Sequence, residues 1–599
     1  MITKIKLSLA VSTLLATSVY GVDGKIVIVK SATKTTQKLT QVTSNINIIT
    51  SKQLEQQQYA TVIQALNSIV GVSFATNGGI GQSSSVGLRG MTNRRILILI
   101  DGVRYNDITG LSGAPLEHLM VSNIQQIEII KGAQSGVWGA DASAGVINII
   151  TKKIQNGLHG NINFEYGSFK TKTYETSMSY KTDKYNFKVN SHKVNSDGFT
   201  SQAPNGVDID TLENDGYKNT TNSFLGGFSV SDTNKIDISH ISIDATTQFD
   251  PFKNPNGIET STIKNNLTSI NFNHIDSFNE VDIYAKQSVF SRYYPQGFTK
   301  RFDGAIDEYG FKSRINYKKQ DFILLGMDNK EFEHKNNLNK QYKNKGIFLT
   351  NSNIISSTNK SYTIFTQSIR YDELDEFNNK TTGKIGLKNF NDDITLGINY
   401  GTAYNIPTLY QLYDPFYGNT NTKSEEISSY DLSVRYKNLT LSYFNNAIKN
   451  MIGYDKITYQ TTNTQGVSVI KGIEIEYKRD ITKNTLLNFN YTTLTAKDKD
   501  ENNLERRAKE NLKVAINYSG FAKTNLVLNA NYIGERYDDN ARTKQTGKYT
   551  VINTVANYDI NHKIKVYFKI DNITDKYYQT IEGYATSPRA YYAGIKIKF

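Results

Sequence analysis

A large antiparallel transmembrane β-barrel, closed around a small mixed α/β domain and preceded by a secretion signal, is the fold this sequence predicts. Three observations lead there. Mean hydropathy is −0.48 with 38% apolar residues, so no bundle of membrane helices is encoded; beyond residue 20 no run nears the ~18 apolar residues such a helix needs. Residues 155–599 consist of short segments in which polar and apolar side chains alternate. Tyrosine is abundant (39) and proline scarce (8), as suits a sheet with aromatic girdles. The absence of cysteine excludes a disulfide scaffold, thiolate metal sites and thiol catalysis. A net charge of +13 asks for an anionic neighbour, either nucleic acid or a charged membrane surface.

Residues 1–21 read MITKIKLSLAVSTLLATSVYG: Lys4 and Lys6, a short apolar stretch, then small residues. That is a signal peptide, with cleavage expected between Ser18 and Asp23. An exported chain is a poor candidate for binding nucleic acid. Residues 24–35, GKIVIVKSATKT, are β-branched and weakly alternating. They fit either a first strand or an extended segment that adds to the sheet edge of another protein.

From 36 to 153 the pattern is α/β. Thr50 or Ser51 is a helix N-cap, and Leu54, Val62, Leu66 and Ile69 follow near helical spacing. The run RILILIDGVR (95–104) is apolar throughout, as in a strand buried on both faces. NIQQIEIIKG and GVINIITKK supply further strands, with glycine-rich loops between.

From 155 onward, segments such as NINFEYGSF, KIDISHISID and LLNFNYTTLTA place apolar residues toward lipid and polar ones toward a wet lumen. Backbone groups in lipid must all be paired, so the sheet has to close. At roughly 20 residues per strand and connection, residues 155–599 hold about 22 strands, a size whose lumen is plugged. The plug is then the preceding domain. The end, YYAGIKIKF, puts Tyr591, Ala593, Ile595, Ile597 and Phe599 on one face of a last strand.

Several motifs now stand in order: NGGIGQSSSVGLRG (77–90), ILIDGVRYN (98–106), IEIIKGAQSGVWGADASAGVINIITKK (127–153) and YGTAYNIPTLYQLYDPFYGNTNTKSEE (400–426). With the closing KIDNITDKYYQTIEGYATSPRAYYAGIKIKF, they make the chain resemble the TonB-dependent receptors of Gram-negative outer membranes. Within that family the likeness is to members that transport cobalamin (vitamin B12). It rests on overall length, on NGGIGQSSS at 77–85, on NDITGLSGAPLEHL, and on acids in NSDGFTS, LENDGYKNT and IDATTQFDPFKNPNGIE. One family motif, N-P-x-L, is replaced by Asn419-Thr420-Asn421-Thr422.

The resemblance implies TonB-dependent uptake of cobalamin or a related corrinoid, with a ferric siderophore or other iron chelate as the alternative. It implies an energy-coupling box at 24–35, carried by Lys25, Ile26, Val27, Ile28, Val29, Lys30 and Ser31. A strand of a TonB-type periplasmic transducer would pair there. Ligand contacts on the plug would come from Gln82, Ser83, Ser84, Ser85, Leu111 and Ser112, and Arg89 would meet a carboxylate of the barrel wall. Ca²⁺, bound by Asp197, Glu213, Asp215, Asp250 and Glu259, would order the outer loops. The remaining partners would be outer-membrane lipid and lipopolysaccharide. No catalytic cofactor is expected and no enzyme: there is no G-x-S-x-G, and the seven histidines are scattered without nucleophile partners.

Overall fold

The computed structural model describes residues 27–599 apart from Ser112 and Asn359. The expected signal peptide, Lys25, Ile26 and Ser112 lie outside the described residues. The barrel runs from a strand at Gly157–Gly167 to one at Ala590–Lys598, and these two pair to close it. It has 22 strands, all antiparallel to their neighbours in chain order. Among the described residues no helix is long and apolar enough to cross a membrane. The strands make the crossing.

Burial is inverted relative to a water-soluble sheet. In the strand Ile394–Asn405, Ile394, Leu396, Ile398 and Tyr400 are 42–48% exposed, whereas Thr395 and Asn399 are buried. The exposed set faces lipid, and the buried polar set faces the plug. Exposed tyrosines mark both rims, such as Tyr185, Tyr436 and Tyr558 beside short turns, and Tyr293, Tyr371 and Tyr454 beside longer connections. The connections are asymmetric: 182–184, 437–438 and 560–563 on one rim, 197–216, 406–424 and 572–589 on the other. Short turns face the periplasm and long loops the exterior. Every proline sits outside the barrel strands, where a missing N–H breaks no ladder.

Inside lies the plug. Strands β1 (Ile28–Val29) and β2 (Gln37–Lys38) form a small hairpin. A five-stranded sheet has the order β3 (Ile46–Thr50), β8 (Ile124–Lys131), β9 (Gly145–Thr151), β6 (Ile96–Ile100), β7 (Val103–Arg104). The β6–β9 pairing is parallel and all five residues of β6 are buried, which explains its unbroken apolar run. A second hairpin pairs β4 (Val72–Thr76) with β5 (Ser84–Leu88).

The structure adds detail to two readings. The helical spacing between 50 and 72 resolves into two helices, α1 (Ser51–Gln57) and α2 (Val62–Leu66). Thr50 caps the first and Thr61 the second. Gln58 breaks the path at φ 48°, and its side chain bonds Asn557 and Lys596 of the wall at 2.7 Å each. Those tertiary bonds offset the strained backbone. Among the described residues of 24–35, only Ile28–Val29 is strand; those after it are held by hydrogen bonds to side chains.

Candidate functional site

Two regions hold the residues singled out from the sequence: the outer loops above the plug, and residues 27–35 below it. Outside, the loop 197–216 folds down onto the connection 250–258. Ser201 N–H donates to Asp215 Oδ2 (2.7 Å), while Gln202 N–H (2.7 Å) and the Ser201 hydroxyl (3.0 Å) donate to Asp250 Oδ2. Each aspartate thus spends one oxygen on the loop. The other oxygens, Asp215 Oδ1 and Asp250 Oδ1, have no partner among the described residues, nor has either oxygen of Glu213. Glu213, Asp215 and Asp250 bring one oxygen each within 4.8 Å of the others.

Three converging carboxylates with orphaned oxygens repel one another. Burial, then the charges of Asp215 and Asp250, push the Glu213 carboxyl up to about 8. Burial and the Asp250 charge push Asp215 up to about 6, against the Ser201 hydrogen bonds. A hard divalent cation with oxygen ligands would relieve both effects, and this donor set fits Ca²⁺. The other two expected ligands stand apart. Asp197 is paired with Lys170 at 2.9 Å and half exposed, and Glu259 opens the strand Glu259–Ile275 outside the cluster.

The plug tip beneath this loop is partly committed to packing. Gln82 is buried and donates to the Gln248 carbonyl of the wall at 2.6 Å. Ser84 is buried and bonds Thr76 and the Gln82 carbonyl. Gly81, at φ +81°, lies so close to Tyr217 that a Cβ would stand 2.0 Å from its ring. Ser83 and Leu111 are exposed, and Ser85 is half-buried. The outer loops add an aromatic rim that the motifs do not announce. Phe298 and Phe416 meet edge-on at 5.4 Å, and Tyr459 sits 6.3 Å from Tyr454. Phe298, in the connection 294–300, is 88% exposed. Several loop cations are already paired: Lys456 with Glu505, Arg506 with Asp538, Arg542 with Glu535, Lys544 with Glu582.

Arg89, also left-handed at φ 50°, is fully buried and makes a two-pronged pair with Glu474 of the wall strand Thr461–Thr482, at 2.9 and 3.1 Å. Lys131 joins the same carboxylate at 3.2 Å. Arg95 pairs with Glu425 likewise. The sequence signal for Glu474 is its place in Ile473-Glu474-Ile475-Glu476, where the isoleucines alternate with lumen-facing acids.

On the periplasmic side, Val29 and Ser31 are fully buried. Glu128 accepts from the amides of Lys30 and Ser31 (Oε2 at 3.1 and 2.9 Å) and from the Ser31 hydroxyl. Trp138, the only tryptophan, donates to the Ser31 carbonyl at 2.8 Å. Lys34 continues inward to Asp328 of the wall at 3.1 Å, joining a buried network with Lys330, Arg370 and Asp372. Residues 29–34 are therefore docked on their own chain; Glu128 and Trp138 lie inside the 127–153 motif, which gives no sign of this contact.

The comparisons with known proteins are consistent with this geometry. The family model "TonB dependent receptor-like, beta-barrel" matches residues 153–573, and the "TonB-dependent Receptor Plug Domain" matches 38–146. Curated relatives include the vitamin B12 transporter BtuB of Vibrio cholerae serotype O1, 25% identical, with 96% of this chain and 95% of the relative covered. BtuB of Photobacterium profundum is also 25% identical, with 96% and 95% covered. Among solved structures, the siderophore receptor PirA from Acinetobacter baumannii superposes with a TM-score of 0.79 at 16% identity, covering 92% of this chain and 98% of that one. The ferric enterobactin receptor PfeA from Pseudomonas aeruginosa, as a mutant, gives 0.78 at 16%, with 92% and 98% covered. At that identity the two structures speak to the fold alone.

Proposed function

Because the chain belongs to the TonB-dependent receptor family, we propose that the solute it transports is cobalamin or a related corrinoid, and that Ca²⁺ bound by Glu213, Asp215 and Asp250 orders the loops that receive it. TonB-dependent transport across the outer membrane of a Gram-negative bacterium is the activity of the family, which is one of transporters and receptors rather than enzymes. The observation that carries the choice of solute is near full-length similarity to relatives named for vitamin B12 transport. The outer loops support it: the exposed aromatic side chains of Phe298 and Phe416 suit the apolar faces of a large solute.

In this reading Ser83, Ser85 and Leu111 meet the ligand from the plug, while Gln82 and Ser84 shape the loop behind them. Binding above is transmitted to the docked coupling segment, which leaves Glu128 and Trp138 and offers residues 25–31 as an edge strand to the transducer. Proton-motive force then acts through that strand on the plug. No covalent step is involved. The +13 surplus faces lipopolysaccharide phosphates rather than nucleic acid.

The test is binding of cyanocobalamin to purified protein with and without Ca²⁺, beside growth of a deletion strain on limiting cobalamin or limiting iron. Saturable binding at micromolar ligand or below is expected, strengthened by Ca²⁺. No binding at that concentration, with a growth defect on iron only, overturns the corrinoid reading in favour of an iron chelate. Binding indifferent to Ca²⁺, and to Asp215→Asn and Asp250→Asn, overturns the calcium part alone.

A further inference from the structure

The outward face of the barrel carries its charge unevenly. Three exposed lysines stand near the outer ends of adjacent wall strands: Lys172 on Thr171–Lys181, Lys193 on Tyr185–Ser196 and Lys218 on Tyr217–Ser229. Their chain neighbours Thr171, Val194 and Tyr217 are buried, so the lysines point away from the lumen. On other wall strands, exposed lysines stand beside acids: Lys264 with Asp244 at 3.8 Å, Lys343 with Glu331 at 3.6 Å, Lys449 with Glu426 at 3.7 Å. Lys172, Lys193 and Lys218 have no ion pair among the described residues. The nearest acids are committed elsewhere: Glu165 and Glu175 line the inside of the barrel, and Asp197 is held by Lys170.

Strand register gathers the three. Lys172 lies opposite Asn195, and Asn195 opposite Lys218. A cation, a carboxamide and a second cation therefore share one rung, with about 10 Å between the two outer backbones. Lys193 is two residues from Asn195 on the middle strand, on the same outward face. Beside them Tyr166 lies opposite Lys172, and Tyr174 opposite Lys193; both tyrosines are about half exposed and belong to the outer aromatic girdle. Toward the periplasm the outward face continues through Met178, Val189 and Phe224, all exposed and apolar. Cations thus stand at headgroup height directly above a lipid-facing wall. That order suits an amphiphile, with anionic groups at the lysines and hydrocarbon along the wall below, better than a dissolved anion. The patch also lies at the root of loop 197–216, on the two strands which that loop joins.

We infer that Lys172, Lys193 and Lys218 form a binding site for one phosphorylated glycolipid of the outer leaflet, the lipid A part of lipopolysaccharide. Its two phosphates sit on one disaccharide. They meet the flanking Lys172 and Lys218 with Lys193 between, while Asn195 serves the sugar hydroxyls and the acyl chains lie on Met178, Val189 and Phe224. A phospholipid brings a single phosphate to the same rung and leaves one flanking lysine unmatched. Because the lysines have no acid to give up, binding gains the full attraction between each ammonium and the anionic headgroup. The inference deepens the reading that the surplus charge faces lipopolysaccharide, and it is independent of the transported solute and of Ca²⁺.

The test is native mass spectrometry of the full chain, delipidated in detergent and titrated with bisphosphorylated lipid A, dephosphorylated lipid A or phosphatidylglycerol. The parent protein should retain one bisphosphorylated lipid A in preference to the other two. Lys172→Gln, Lys193→Gln and Lys218→Gln combined should weaken that binding by about fivefold per lysine, roughly a hundredfold together. Lys264→Gln, Lys343→Gln and Lys449→Gln combined remove the same net charge from exposed lysines already beside acids, and should leave binding as in the parent. Binding unchanged in the first triple variant, or weakened equally in the second, overturns the site while leaving the lipopolysaccharide reading in place. Phosphatidylglycerol or dephosphorylated lipid A held as tightly as the bisphosphorylated form overturns the assignment to lipid A, and needs no variant. A parent protein that retains no lipid A overturns both the site and the reading beneath it.

Discussion

Glu474→Ala should loosen the plug without unfolding the barrel. Glu474 is fully buried and is the shared acceptor of Arg89 and Lys131. Removing it leaves two cations in the interior. Breaking a buried pair by deleting one partner costs about 3–5 kcal/mol, because the remaining charge is uncompensated. Here Asp431 and Glu476 also act on Arg89, and the Arg89 guanidinium lies 4.8 Å from the Phe444 ring, so part of the charge stays stabilised. The expected cost is therefore near the lower bound, about 3 kcal/mol, or roughly a hundredfold in the opening equilibrium of this part of the plug. The assay is amide exchange of β4 and β5, which flank Arg89, in detergent-solubilised protein, with barrel strands as internal reference. Exchange of β4 and β5 should accelerate by about two orders of magnitude while the barrel stays protected. Arg89→Met with Glu474→Met removes both members of the main pair and should cost less than Glu474→Ala alone. Equal or greater loss in the double variant, or unchanged exchange in the single one, refutes the argument.

Other expectations concern the loops, the lipid face and the coupling segment. Asp215→Asn or Asp250→Asn should abolish Ca²⁺-induced thermal stabilisation, read by a melt with and without the ion. For pH the sign follows from the raised carboxyls. Without metal, Glu213 and Asp215 hold protons in the folded loop up to about 8 and about 6, above their unfolded values. Their favourable contribution is thus complete in acid and lost as pH rises from about 4 to 8. With Ca²⁺ the trend reverses, since protons compete with the ion; protease protection of loop 197–216 between pH 4 and 8 reports both arms. Ile398→Arg, on the lipid face, should cost about 2–4 kcal/mol in a barrel-refolding assay, and Tyr436→Arg at the rim about 0–1 kcal/mol. Trp138→Phe removes the hydrogen bond to the Ser31 carbonyl. It should release the coupling segment by about 1 kcal/mol, raising affinity for a transducer fragment roughly fivefold.

Legibility followed the length scale of each interaction. The alternation in Ile394–Asn405 is a period-two signal, and it identifies the lipid face because one side of every strand sees hydrocarbon. The β6 run is equally plain, since a parallel strand covered on both faces has no polar side. Asp215 and Asp250 could be picked out as loop acids, but Asp197 and Glu259 looked no different in sequence. Only the folding of loop 197–216 onto 250–258 separates the convergent acids from Asp197, which pairs with Lys170, and Glu259, which lies outside the cluster. Gln58 gave no warning of its break, because the bonds that hold it come from wall strands some 500 residues away.

The chain by itself determined the barrel, its size, its plug and its family, because alternation, strand length and ordered local motifs are written in neighbouring residues. Tertiary structure alone decided which wall carboxylate receives Arg89 and how Glu128 and Trp138 hold Lys30 and Ser31. Those outcomes depend on which of many lumen-facing residues the closed barrel turns toward the plug. That choice is set by barrel closure and register over hundreds of residues, so no local pattern encodes it.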